Sequence, residues 1–173
     1  MTKTAKRRIN SKAKGNRGEL EIAKILTKRF GKPFARVGVT SGARPKQVKL
    51  DGKATETFTG DLIVPEGFRF SIEVKAVNKT IDFLDRSALL DGFLEQAKTD
   101  AERIGKLPML CWKRNRKGWI AAMHVKNMSK TGVPNYCVCY DRWFVMKLEA
   151  LLELTPDEFW FETKETLPLN VNP

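Results

Sequence analysis

The stretch GDLIVPEGFRFSIEVK, residues 60–75, sets two carboxylates and an ammonium among apolar residues. Asp61 stands near its start, and Glu73 and Lys75 close it. Charge placed in a core costs several kcal/mol, roughly, unless it is paired or bound. Alternation along FRFSIEVK sends Phe68, Phe70, Ile72 and Val74 to one face and Arg69, Ser71, Glu73 and Lys75 to the other. With DLIV as the partner strand and Pro65-Glu66-Gly67 as the turn, an antiparallel hairpin is expected. That turn opposes Asp61 to Ser71, with Glu73 as a diagonal neighbour; a slip of two residues sets the carboxylates directly opposite. A slip of one would send Asp61 to the apolar face. Two carboxylates that close repel each other, and a hard divalent cation, Mg²⁺ or Mn²⁺, relieves the repulsion. Such an ion can polarise a phosphoryl oxygen and activate a water. Lys75 would then stabilise the charge of a pentavalent phosphorane or position the water. The alternative is a surface salt bridge among the same three side chains on a half-exposed sheet.

A third carboxylate comes from an earlier element. GNRGELEIAKILTKRF, residues 15–30, has Ile22, Ala23, Leu26 and Phe30 as one helical stripe. Glu19 precedes Ala23, Leu26 and Phe30 at helical spacing, so it heads the face expected to be buried; either it reaches the same site or the stripe frays into solvent one turn early. Glu21 is expected to face Lys24, an ordinary surface pair. Gly31 and Pro33 end the helix.

The elements that must position these groups follow from periodicity. FARVGV (34–39) reads as a strand and 40–59 as a long basic loop of a kind usually functional or mobile. After the hairpin, Leu90, Phe93, Leu94, Ala97, Ala101 and Ile104 predict a helix over 86–104, stopped by Gly105 and Pro108. On it, Gln96 either faces the site or is a surface glutamine. PMLCWK, WIAAM and NYCVCY read as strands, residues 142–153 as a helix, and TPDEFW as a capped helical turn. The expected fold class is α/β, with a central mixed β-sheet flanked by helices.

The chain has 173 residues and a net charge of +12. Residues 1–55 hold 16 Lys and Arg against Glu19, Glu21 and Asp51, a net +13, and the remainder is near neutral. A basic end of this size suits a polyanion, with counterion release from phosphate supplying much of the affinity. Arg7, Arg8, Lys12, Lys14 and Arg17 are candidate phosphate contacts from an arm and first helix, and Arg36, Arg44 and Lys46 from the strand and loop beside the site. Phosphate contacts orient a duplex without reading sequence, which suits recognition of branch shape. No apolar run approaches the ~20 residues of a membrane span, and the basic N-terminus lacks the apolar segment of a secretory signal. A cytoplasmic or nucleoid-associated protein, with no membrane partner, is expected. Cys111, Cys137 and Cys139 lack framework or zinc-knuckle spacing and read as structural thiols. His124 has no visible partner triad and also reads as structural, and the four tryptophans read as core or interface.

Gly15 to Glu19 on a helix, then Ser41-Gly42, then GDLI (60–63), then IEVK (72–75), resembles the PD-(D/E)xK nuclease superfamily. Within it, the pattern is most similar to the archaeal-type Holliday junction resolvases, which also occur in phages. FLEQA (93–97) and the strand ending in Trp112-Lys113 extend the likeness over about residues 14–123. The resemblance implies a restriction-endonuclease-like nuclease core over 14–125; residues 1–13, which lack apolar periodicity, read as a flexible basic arm, and 126–173, beyond that core, as a C-terminal extension packed on it. It implies that Asp61 and Glu73 bind the metal with the Val74 carbonyl, that Lys75 is catalytic, that Glu19 completes the acidic cluster and that Ser41 assists at the scissile phosphate. It further implies a homodimer cutting two strands of a four-way junction. Gly60 departs from the proline of the superfamily's name, and the loop over 40–59 is longer than usual. The other readings are a nuclease of the same superfamily acting on linear duplex or flap DNA, and a non-catalytic basic nucleic-acid-binding protein.

Overall fold

The computed structural model describes residues 11–37, 58–77, 81, 86–114, 117–127, 136–154 and 156–160. Helix α1 spans Ser11–Phe30, beginning a turn ahead of the expected start, and buries Gly18, Ile22, Ala23 and Leu26. Three two-residue strands follow: β1 (Ala35–Arg36), β2 (Phe58–Thr59) and β3 (Leu62–Ile63). They form a small antiparallel sheet with β3 in the middle. The main sheet is built from β4 (Phe70–Val77), β5 (Leu107–Arg114), β6 (Trp119–His124), β7 (Val138–Tyr140) and β8 (Trp143–Lys147). Its order is β4-β5-β6-β8-β7, with β4 and β5 parallel and the other pairs antiparallel. Helix α2 (Ala88–Glu102) makes the crossover between the two parallel strands. A short helix α3 (Leu148–Leu151) and a 3₁₀ turn (Pro156–Phe159) complete the described chain. The fold is therefore α/β, a central mixed sheet flanked by helices.

The sheet is packed on both faces. Ile22, Ala23 and Leu26 of α1 join Phe70, Ile72, Val74, Met109, Ala121 and Met123 in one core. Leu90, Leu94 and Ala97 of α2 join Leu110, Trp112, Ala122, Trp143 and Val145 in the other. Strand β4 is accordingly buried from Phe70 through Val74, as expected of a parallel strand between helix layers. Helix α2 starts where Ser87 accepts a hydrogen bond from the Leu90 N–H, and ends before Gly105, whose φ is 65°.

The expected antiparallel hairpin of DLIV with FRFSIEVK does not form. Strand β3 pairs instead with β1 and β2, and the preceding Gly60 meets β4 in a single parallel bridge to Ile72. The chain crosses the open flank of β4 rather than folding back along it, while β5 pairs with the other flank and the Arg69 backbone bonds to Phe159 and Leu107. A second correction concerns residues 143–147, which form a strand and not a helix. Tyr140 faces Trp143 across a two-residue turn in which Asp141 takes φ 51°, so a tight hairpin captures WFVMK before it can coil. Only four residues of the expected helix remain, in α3. On β7, Tyr140 turns inward while Cys139 is exposed, so Cys139 is not the buried thiol expected; Cys111 is buried.

Beyond α3 the chain returns to α1. Arg29 donates to the carbonyls of Leu152 (2.6 Å) and Leu154 (3.0 Å), which lie past the helix end and lack intrahelical partners. Phe159 is fully buried and, with Phe30, Phe34, Phe68, Phe70 and Trp160, makes an aromatic cluster with centroids from 5.0 to 6.4 Å apart. His124 stacks edge-on against Trp143 at 5.4 Å, a structural contact. No helix among the described residues is long and apolar enough to cross a membrane.

Candidate active site

The charged residues of β4 lie at the edge of the main sheet, since β5 occupies only one flank of that strand. Backbone groups of alternate residues point the same way in a strand, so Ile72 and Val74 offer theirs to the open flank. The Asp61 segment takes that flank. The Asp61 N–H donates to the Ile72 carbonyl at 3.0 Å, and the Val74 N–H donates to Asp61 Oδ2 at 2.8 Å. The carboxylate thus stands in for a neighbouring strand's carbonyl. This places Asp61 beside Glu73, as the sequence led one to expect, by a different route.

Gly60 makes the crossing possible. Its φ is 64°, and a Cβ there would meet the Ile72 carbonyl oxygen at 2.5 Å. A proline, fixed near φ −65°, cannot take this conformation, which accounts for the glycine in that position. On α1, Gly18 plays the corresponding part: a Cβ would lie 3.2 Å from Trp119 and 3.4 Å from Ala76. The small residue lets α1 lie against β4 and β6 one position before Glu19. The sequence reading singled out Gly15, which has only Glu19 nearby; the signal for Gly18 was its place four residues ahead of Ile22.

Glu73 is 4% exposed. Lys75 Nζ donates to Glu73 Oε1 and, at 3.0 Å, to Gln96 Oε1. Gln96 Nε2 donates to the same Glu73 oxygen at 2.7 Å. Gln96 therefore faces the site and joins the two β4 charges in one network. Phe93, one turn earlier on α2, lies under the Lys75 ammonium at 5.5 Å. Asp61 is pushed up from its ordinary 3.8 to about 7, first by burial and then by the nearby Glu73 charge; Glu19 adds to this, while the Val74 N–H and Lys75 oppose it.

Glu19 comes from α1 towards the same region, and its Oε2 accepts from Arg36 Nε at 2.6 Å. Among the described residues no group of three His, Cys, Asp or Glu side chains is disposed to hold a metal ion. Asp61 and Glu73 are a pair, with Glu19 nearby but engaged by Arg36. The pair still suits Mg²⁺ or Mn²⁺, which bind through one or two carboxylates and keep several waters. Its oxygen donors are hard, and burial together with the Glu73 charge still holds the Asp61 carboxyl well above its ordinary range. The Val74 carbonyl points to the same flank as its N–H.

Of the other expected residues, Lys12, Lys14 and Arg17 lie on the first turns of α1, ahead of Glu19. Arg17 is exposed and donates to the Ala13 carbonyl. Arg7, Arg8, Ser41, Arg44 and Lys46 lie outside the described residues. Glu21 is paired with Lys113 of β5 at 2.5 Å and not with Lys24. An open groove of about 650 Å³ runs between α1 and β1, lined by Leu20, Ala23, Thr27 and Phe34 and by the cations Lys24, Lys28 and Arg36.

No curated protein matches the sequence. Among solved structures, the chain is similar to Hjc, a Holliday junction resolvase of Archaeoglobus fulgidus, at 20% identity and a TM-score of 0.39, over 79% of this chain and 91% of that one. A family model described as "Phage putative PDDEXK endonuclease" matches residues 10–160, a span that contains Glu19, Asp61, Glu73, Lys75 and the strands and helices that bring them together; the chain belongs to that family.

Proposed function

We propose that the protein is a divalent-metal-dependent DNA endonuclease that nicks four-way junctions in pairs, acting as a homodimer. The observation that carries the nuclease reading is the Asp61–Glu73 pair on the open edge of β4, with Lys75 bound to Glu73. Asp61, Glu73 and the Val74 carbonyl would hold Mg²⁺ or Mn²⁺. When bound, the ion would supply a polarised phosphoryl oxygen and a more acidic water. Lys75, oriented by Gln96, places an ammonium where negative charge grows on the phosphoryl oxygens. Glu73 holds that ammonium in place. The reaction adds water across one phosphodiester: a P–O bond forms to the water oxygen, the P–O bond to the leaving sugar oxygen breaks, and that oxygen takes a proton. The basic excess of residues 1–55 supports a nucleic-acid substrate. The motif order Ser41-Gly42, GDLI, IEVK supports the junction class, with Ser41 assisting at the scissile phosphate. Two symmetric cuts require two sites, hence the homodimer.

The test is a cleavage panel at one salt concentration with Mg²⁺ or Mn²⁺, comparing a synthetic four-way junction, a linear duplex and a flap. Paired, symmetric nicks in the junction that disappear in Asp61→Ala support the reading. Equal cutting of the duplex or flap keeps the nuclease but discards junction selectivity. Cutting that survives Asp61→Ala refutes the site, and binding indifferent to EDTA with no cleavage makes the protein a non-catalytic binder.

A further inference from the structure

Arg36 lines the α1–β1 groove and holds a carboxylate of the active-site region at the same time. Its Nε meets Glu19 Oε2 at 2.6 Å, and both side chains are about four-fifths buried, at 18% and 19% exposure. A pair this sheltered is screened less than a surface pair and fixes both side chains. Glu19 is thereby turned to Arg36, and it does not join Asp61 and Glu73 in a three-carboxylate group. Yet it lies close enough for its charge to act on Asp61. On the groove side, Arg36 stands with Lys24 and Lys28, four residues apart on one face of α1. Among the described residues no acidic side chain lines that groove. A backbone phosphate drawn there meets three cations, of which Arg36 alone also reaches a carboxylate beside the site.

We propose that Arg36 is a positioning residue that exchanges partners: it holds Glu19 back in the DNA-free protein and releases it when a phosphate in the Lys24–Lys28–Arg36 groove takes its guanidinium. Guanidinium forks bind carboxylate and phosphate in the same way, so the exchange replaces one charge-assisted contact by another. The released Glu19 then turns to the Asp61–Glu73 pair. The acidic cluster is completed only on protein that carries nucleic acid. This rests on the reading of that pair as a metal site.

The exchange predicts opposite effects at its two ends. Titrated with Mn²⁺ alone and followed by its electron spin resonance, DNA-free Arg36→Gln should bind Mn²⁺ roughly tenfold more tightly than wild type. The double variant Glu19→Gln/Arg36→Gln should lose that gain. In EDTA, Glu19→Gln should bind a short duplex DNA more tightly with the salt slope unchanged, because Arg36 meets phosphate in both proteins but leaves no carboxylate behind in the variant. Arg36→Gln should weaken that binding, and the double variant should follow Arg36→Gln. An Arg36→Gln titration that overlays wild type overturns the proposal, as does a gain that survives removal of Glu19. Should Arg36→Gln fail to fold, unchanged duplex affinity in Glu19→Gln overturns it alone. Absence of Mn²⁺ binding in both wild type and Arg36→Gln removes the metal-site reading and the proposal together, whereas Mn²⁺ binding that is the same in wild type and the variants removes only the proposal.

Discussion

Strand β4 runs through two opposite environments within a few residues. Phe70 at its start sits in the aromatic cluster with Phe68 and Phe159, a closely packed set of rings with cations only at its border, where Lys32 lies over Trp160 and Lys106 donates to the Phe68 carbonyl. Glu73 and Lys75 at its end share a network with Gln96, beside a carboxylate raised to about 7. The first end is favourable for folding and neutral for chemistry. The second is unfavourable for folding, since a buried carboxylate beside another is costly to ionise. One rigid strand, held by β5 and covered by both helices, lets the packed end support the strained one.

The comparison breaks most sharply at Asp61. Asp61→Asn should reduce metal-dependent cleavage by at least about a hundredfold. In EDTA at pH 8 the same variant should melt higher than wild type, because the amide can still accept the Val74 N–H without carrying charge. A lower melting temperature would deny that the charged end is under strain. At the packed end, Phe159→Ala should cost about 3–5 kcal/mol and lower the melting temperature by ~10 °C, while cleavage per folded molecule stays near wild type. Gly60→Ala joins the two ends. Its φ of 64° and the close Ile72 carbonyl predict about 1–3 kcal/mol of strain, and displacement of Asp61 predicts roughly tenfold slower cleavage. The pH dependence is gentler. The folded state keeps a proton on Asp61 that the unfolded chain loses near pH 3.8, so this group's stabilising contribution is full below that pH and is lost as pH rises through about 7. Metal-free melting temperatures should fall over that window in wild type and fall less in Asp61→Asn, while Mn²⁺ affinity rises over it. Arg29→Met should be the smallest change, about 1 kcal/mol, read by urea unfolding with cleavage unchanged.

Residue types and local periodicity made much of this legible. Asp61, Glu73 and Lys75 stood out because charge interrupted an apolar pattern, and Glu19 because it headed the α1 stripe. The stripes of α1 and α2 matched the buried residues closely. What depended on long-range pairing was not legible. The four residues from Asp61 to Val64, ahead of a turn, looked like one arm of a hairpin, and nothing local revealed that β1 and β2 would claim β3. WFVMK suits either period, and the Asp141 turn decided for strand. The Arg36–Glu19 and Lys113–Glu21 pairs join positions 17 and 92 residues apart, which no spacing rule links. Gln96 had the right helix face, but only the β4 register shows that this face overlooks Glu73.

The Gly60–Asp61 crossing has a consequence for solubility. Strand β4 ends the main sheet and is rich in apolar and β-branched residues, the kind of border that invites a stray strand from another molecule. Asp61 occupies the Ile72 carbonyl and the Val74 N–H along that border, and it brings a charge with it. The segment that would hold the metal is also a guard against edge-to-edge aggregation, so a change that frees it would leave the molecule sticky as well as inactive.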